Sequence, residues 1–229
     1  MDRRLSRALV GIVVALIPFA QPQASESFRS ATLERFLAID DPSPTQYRAL
    51  RRLDARSEHF GSDASMEVWT EGDASGFRYA IVSEQGSEYI REKVFRRTLE
   101  TERAMWASGA PDRAGLTPAN YVFEDRGEQS DGLLALGVKP RRKDILLVDG
   151  AIFLNPTDGD LVRVEGRLSK PPSFWTRHVN IVRWYKRIAG VRMPTALQST
   201  ANVVIAGRST FQMSYEYESV NNQHVGSPK

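Results

Sequence analysis

The pattern of apolar and polar positions divides the chain into a mostly helical front and a β back. In "TLERFLAID" Leu33, Phe36 and Leu37 recur at i, i+3 and i+4, one face of an α-helix. Asp41-Pro42-Ser43-Pro44 breaks that helix. Ser43 suits the cap of a second helix, with Pro44 at its first position. The second helix is predicted to run through "TQYRALRRLDARSEHF", to bury Tyr47, Leu50 and Leu53, and to stop at Gly61. The period then falls to two. "SMEVWTEG" alternates Met66 and Val68 with Glu67 and Trp69, and "GFRYAIVSE" follows the turn residues Gly72 and Asp73, which predicts a hairpin. "REKVFRRTLETERAMWASG" returns to the helical period. Phe95, Leu99 and Trp106 share its apolar stripe, Glu92, Arg96, Glu100 and Arg103 its charged face, and Gly109 its end.

From Asn120 onward the pattern is wholly β. Strands are predicted near 119–125, 131–138, 144–149, 151–155, 160–168, 177–188, 195–206 and 209–218. Asp149-Gly150 and Asp158-Gly159 are hairpin signals. "VRVEGRL" sets Val162, Val164 and Leu168 against Arg163, Glu165 and Arg167. "TFQMSYEY" sets Phe211, Met213, Tyr215 and Tyr217 against Gln212, Ser214 and Glu216. One apolar and one polar face is the signature of an antiparallel sheet with one wet side. Helices with apolar stripes and a sheet with one apolar face are buried most economically against each other. The expected fold is therefore α+β: a long, curved antiparallel half-barrel with two to three helices across its concave apolar face. It forms one domain over residues 25–221, and residues 222–229 are expected to fray.

The first residues change the picture of where this domain works. Arg3, Arg4 and Arg7 precede an apolar run from Ala8 to Ala20, and Pro22-Gln23-Ala24 offers a small residue for cleavage. That is the layout of a secretory signal peptide spanning 1–24, cut after Ala24 or after Ala20. The apolar run is short for a membrane span, which needs roughly 20 residues. A soluble periplasmic or secreted protein follows, expected to be a monomer. With no cysteine in the chain, it relies on its core rather than on disulfides. Residues 1–24 hold three Arg and one Asp, so 28 basic and 27 acidic residues remain, a formal charge of +1. A nucleic-acid partner, which calls for a basic domain, is not expected.

Catalytic signatures are missing from the sequence. His59, His178 and His224 stand far apart, with no His-Glu-x-x-His zinc motif and no Gly-x-Ser-x-Gly elbow. Asp158 and Asp160 straddle a turn glycine. Neither a cofactor nor a metal site is predicted, and the chain is read as a non-enzyme, although two carboxylates could still meet in space.

Three stretches, "LVRVEGRLSKPPSFW", "VNIVRWYKRIAGVRMP" and "ANVVIAGRSTFQMSYEYESVN", lie in a helix-free β half behind early short helices and an export signal. In this order the chain resembles the periplasmic lipoprotein-carrier superfamily, the LolA/LolB-like half-barrel. The stretch from about 120 to 221 is similar to bacterial outer-membrane lipoprotein-sorting-like proteins. The resemblance implies a hydrophobic cavity under a helical lid, used for acyl chains.

Between Arg163 and Arg192 the chain crowds eight cations against one acid, Glu165, with Phe174, Trp175, Trp184 and Tyr185 interleaved around Pro171-Pro172. Arginine matches phosphate geometry, and tryptophan suits a boundary between apolar and wet regions. A cavity lined by Phe36, Phe95, Leu99 and Trp106, with Arg163, Arg167, Phe174, Trp175, Arg183 and Trp184 at its mouth, would hold a lipid, acyl chain or lipidated protein. The same stretch also reads as tryptophans filling a core and cations guarding strand edges. Two other readings stand beside the carrier. One is an envelope regulatory or scaffold module, with a filled core and an exposed apolar patch for a protein partner. The other is a hydrolase with carboxylates in a polar cleft.

Overall fold

The computed structural model describes residues 30–108, 114–171, 176–203 and 207–228. Phe174, Trp175, Gly109 and the expected signal peptide lie outside them, as do the side chains of Thr176 and Arg177.

The apolar stripe read in "TLERFLAID" forms helix α1, Ala31–Ala38. Ser30 caps it, its hydroxyl accepting from the Leu33 amide at 3.2 Å. The second predicted helix does not form. Tyr47–Ser57 is strand β1. Its composition explains the misreading, because Ala, Leu and Arg rank among the strongest helix formers. Pairing overrides that preference: β1 bonds on one edge to β2, Ser62–Asp73, and on the other to β10, Gly207–Val220. A central strand satisfies its backbone groups on both sides, so local propensity carries little weight there.

The hairpin of β2 and β3, Gly76–Gly86, forms as predicted, but its two-residue turn is Ala74-Ser75 rather than Gly72-Asp73. Gly72 instead lies within β2, where a Cβ would stand 2.7 Å from the Trp106 ring and 2.6 Å from the Tyr47 ring. The long helical segment follows in three pieces: α2, Glu88–Ile90; a π segment, Arg91–Arg96; and α3, Arg97–Ala107.

Strands β4, Tyr121–Glu128; β5, Leu134–Pro140; β6, Val148–Leu154; and β7, Leu161–Leu168, begin the β half. They are followed by β8, Thr176–Ile188, and β9, Val191–Val203. Asp158-Gly159 makes the β6–β7 turn, with Gly159 at φ +76°. Asp149-Gly150, expected to turn, runs inside β6 instead. There Gly150 faces Gly166, so closely that a Cβ on Gly150 would meet the Glu165 carbonyl oxygen. Residues 223–224, expected to fray, form the short strand β11 on β10.

All strand pairs are antiparallel and form one open sheet in the order β3-β2-β1-β10-β9-β8-β7-β6-β5-β4, with β11 beside β10. This is the α+β half-barrel expected from the pattern, with α1 and the α2–α3 segment laid on one face. The first and last long strands meet at β1–β10. The helical segment leads from one edge strand, β3, toward the other, β4.

Two cores underlie the helices. In the first, Phe95 and Leu99 are buried among Leu53, Met66, Val68 and Met213, and the Phe95 ring lies 6.1 Å from that of Phe211. In the second, Phe36 of α1 packs with Tyr121, Leu136, Ile152, Leu154 and Val164.

Candidate functional site

The register across the sheet defines a row of residues on the helix-covered face. From β2 it passes through Met66, Leu53, Met213 and Leu197, and from β5 through Leu136, Ile152 and Val164. Between Leu197 and Val164 the row contains Arg183. A cation thus stands in the middle of an apolar ladder, where the two cores meet. Leu197, Arg183 and their neighbours Ile181, Tyr185, Phe211 and Tyr215 are half-buried, whereas the row is buried on both sides of them. This half-buried strip is the seam.

A second arginine on the same face is differently served. Arg51 of β1 is 2% exposed. Its guanidinium holds the Glu102 carboxylate of α3 with two hydrogen bonds, Nη1 to Oε2 at 2.5 Å and Nη2 to Oε1 at 2.8 Å. Nη2 also donates to the Tyr47 hydroxyl at 2.9 Å, and the group stacks on Tyr215 at 4.7 Å. This fork-to-fork pair is the strong form of an ion pair. Burial opposes the charge on Glu102, but Arg51 and the hydrogen bonds outweigh it and hold the carboxyl below its usual range. Burial raises the Tyr215 hydroxyl, so that ring stays neutral.

Arg183 has no such fork. Tyr185 beside it favours its charge against burial and accepts a hydrogen bond from it. Its Nε is buried with no hydrogen-bond partner among the described residues, as is that of Arg51, and no carboxylate there is ion-paired with Arg183.

The other described residues of the predicted mouth fall elsewhere, Phe174 and Trp175 lying outside the described residues. Arg163 and Trp184 are cross-strand partners, one position out of phase with Val164 and Arg183, so they share the opposite, open face. Arg163 pairs there with Asp131 at 3.2 Å and Glu165 at 2.5 Å and stacks on Phe153 at 4.2 Å. Arg167 is exposed. Arg187 and Arg192 bind Asp160 at the sheet's end, and Arg192 also reaches Asp41 at 2.7 Å. Of the predicted lining, Phe36 belongs to the second core and Phe95, Leu99 and Trp106 to the first, Trp106 donating its Nε1 hydrogen to the Asp73 carbonyl at 3.1 Å. The expected single patch is thus divided among two cores, two faces and one end of the sheet, because neighbouring strand residues point to opposite sides.

Sequence reasoning overlooked Arg51, Glu102 and Tyr215 as a set. Arg51 carried a signal: it occupies the inward phase of Ala49, Leu53 and Ala55 once the segment is read at period two. Two surface clefts, of about 440 Å³ beside Glu92, Arg96 and Glu100 and about 390 Å³ beside Asp54, Arg56 and Gln212, do not border Arg183. Among the described residues no group of His, Cys, Asp and Glu is arranged to hold a metal ion.

No family model matches the chain, and no curated protein does either. Two solved structures are similar to it. One is a domain from Vibrio parahaemolyticus named for outer membrane lipoprotein sorting, at 9% identity and a TM-score of 0.39, covering 81% of this chain and 90% of that one. The other is a DUF1329 family protein from Desulfovibrio piger, at 13% identity and a TM-score of 0.30, covering 81% and 88%.

Proposed function

We propose that this is a non-enzymatic periplasmic carrier or binding protein for an amphiphile: a lipid, an acyl chain or a lipidated protein held between the sheet and its helices. The observation that carries the reading is the seam. Apolar side chains on the covered face stay half-buried there, between two cores that are closed, and the sheet is open at both edges. A strip of that kind gains by burying an apolar chain, at roughly 25 cal/mol per Å² removed from water. Arg3, Arg4 and Arg7 ahead of the apolar run support export.

Native mass spectrometry of the protein purified from the periplasm, with organic extraction of what dissociates, tests this. A co-purifying lipid or acylated species is expected. A clean apo mass, with no uptake from vesicles of phosphatidylethanolamine and phosphatidylglycerol, would overturn the carrier in favour of a protein-binding module.

A further inference from the structure

We infer that the seam selects its ligand by an anionic head group, an oxyanion such as a phosphate or carboxylate bound by Arg183, with the attached chain lying along Phe211 and Ile181. The inference rests on the proposed carriage of an amphiphile and adds the chemistry that decides which one.

The charge balance of the covered face is the first argument. Glu102 commits both carboxylate oxygens to Arg51. Tyr215 of β10 has its hydroxyl raised by burial and stays neutral. Among the described residues Glu102 is the acid whose charge acts on Arg183, and its hydrogen bonds go to Arg51 and Tyr47, so Arg183 has no carboxylate of its own. The second argument is hydrogen bonding. Buried donors almost always have partners, and an exception calls for an explanation such as strain or a bound water or ion. Five buried arginine Nε atoms lack a hydrogen-bond partner among the described residues; Arg48, Arg51, Arg91 and Arg163 hold carboxylates through their guanidinium groups, and Arg183 is the one with no such ion pair. Nε and an Nη on the same side of a guanidinium form the fork that takes two oxygens of one oxyanion.

The surroundings define the rest of the ligand. Arg183 is flanked across the strands by Leu197 and Val164. One step along the covered face, the next row holds Phe211, Ser199 and Ile181. A small hydrophilic anion would leave these half-buried groups unused, whereas a head group on an acyl chain uses both. Arg163 and Arg167 do not contribute, since they face the other side of the sheet.

Isothermal titration of the mature protein with dodecyl phosphate, dodecanol and inorganic phosphate tests the inference. Dodecyl phosphate is expected to bind at least about tenfold tighter than dodecanol, the size of one charge-assisted interaction. Arg183→Met should abolish that ratio while still binding dodecanol, and Arg183→Lys should keep part of it. Equal binding of the two chains by the wild-type protein would overturn the head-group inference and leave the carrier standing. Failure of both chains to bind would overturn carrier and head group together. Inorganic phosphate binding as tightly as dodecyl phosphate would replace the amphiphile by a free anion. Should Arg183→Met fail to fold, the wild-type ratio and the Arg183→Lys variant decide.

Discussion

The two cores lie under one sheet and are closed by different means. The second core is almost wholly aliphatic: Leu136, Leu147, Ile152, Leu154 and Val164 gather around Phe36 of a short helix. Its main polar element is the Tyr121 hydroxyl, which accepts from the Val148 amide at 3.1 Å. The first core buries a charge. Its long helical segment is fastened to the sheet through Glu102 and Arg51 as well as through Phe95 and Leu99. Aliphatic contacts fill volume without dictating orientation, whereas a bidentate ion pair accepts one geometry. The difference teaches that α3 is held in one register over β1 by an ion pair, while α1 is held by the packing of Phe36 with weaker polar contacts, such as Arg35 donating to the Pro156 carbonyl at 3.0 Å. The seam with Arg183 falls where these two modes meet.

The largest test of this contrast removes the ion pair. Glu102→Gln leaves Arg51 buried without its counter-charge, and should cost about 3–5 kcal/mol in urea unfolding. Its pH dependence carries the sign. The folded Glu102 pKa is depressed, so the pair's contribution is present above the ordinary glutamate value of 4.5 and is lost as pH falls through the folded value. Wild type should therefore lose more stability than Glu102→Gln on acidification. Parallel urea curves for the two would show that the pair contributes nothing.

Next in size is Leu136→Ala, which opens a void in the second core. A loss of about 2–4 kcal/mol is expected, with an acid dependence equal to that of wild type. An altered acid dependence would show that the cores are not separate.

Smaller again is Gly72→Ala, whose methyl meets the Trp106 and Tyr47 rings. A cost of about 1–3 kcal/mol is expected, together with a red shift of tryptophan emission as the indole leaves its site. An unchanged spectrum would contradict the placement of Trp106.

The smallest effect is on the open face, where Arg48 pairs with Glu71 at 3.3 Å and Glu218 at 3.1 Å. Arg48→Ala should change stability by less than about 1 kcal/mol, and salt should diminish even that. A larger loss would mean that the charges on this face act as a network.

Much of the fold was legible where a single period runs unbroken. The stripes of Leu33, Phe36 and Leu37 and of Phe95 and Leu99 became helices, and the predicted strands of the β half have observed counterparts, except that 144–149 and 151–155 were read as two strands where one, β6, Val148–Leu154, runs. The strand β1 was illegible because its inward positions hold small alanines and an arginine, so that "YRALRRLDAR" lacks the apolar alternation of a strand. The site was less legible still. Arg183 and Trp184 are adjacent in the chain and lie on opposite faces, and only the register against Leu197 and Val164 says which is which.

The sequence by itself determined the element types of the strongly periodic segments, the open two-faced sheet, the absence of cysteine chemistry and the layout expected of an exported chain. These depend on residues within a few positions of one another, where the helical and strand periods operate. Tertiary structure alone decided that β1 is a strand, which cations are neutralised, and that Arg183 faces the seam. Leu53 meets Met213, and Arg51 reaches Glu102. Pairings between residues so far apart along the chain leave no local trace, because the free energy that selects them comes from burial and charge shared between distant segments.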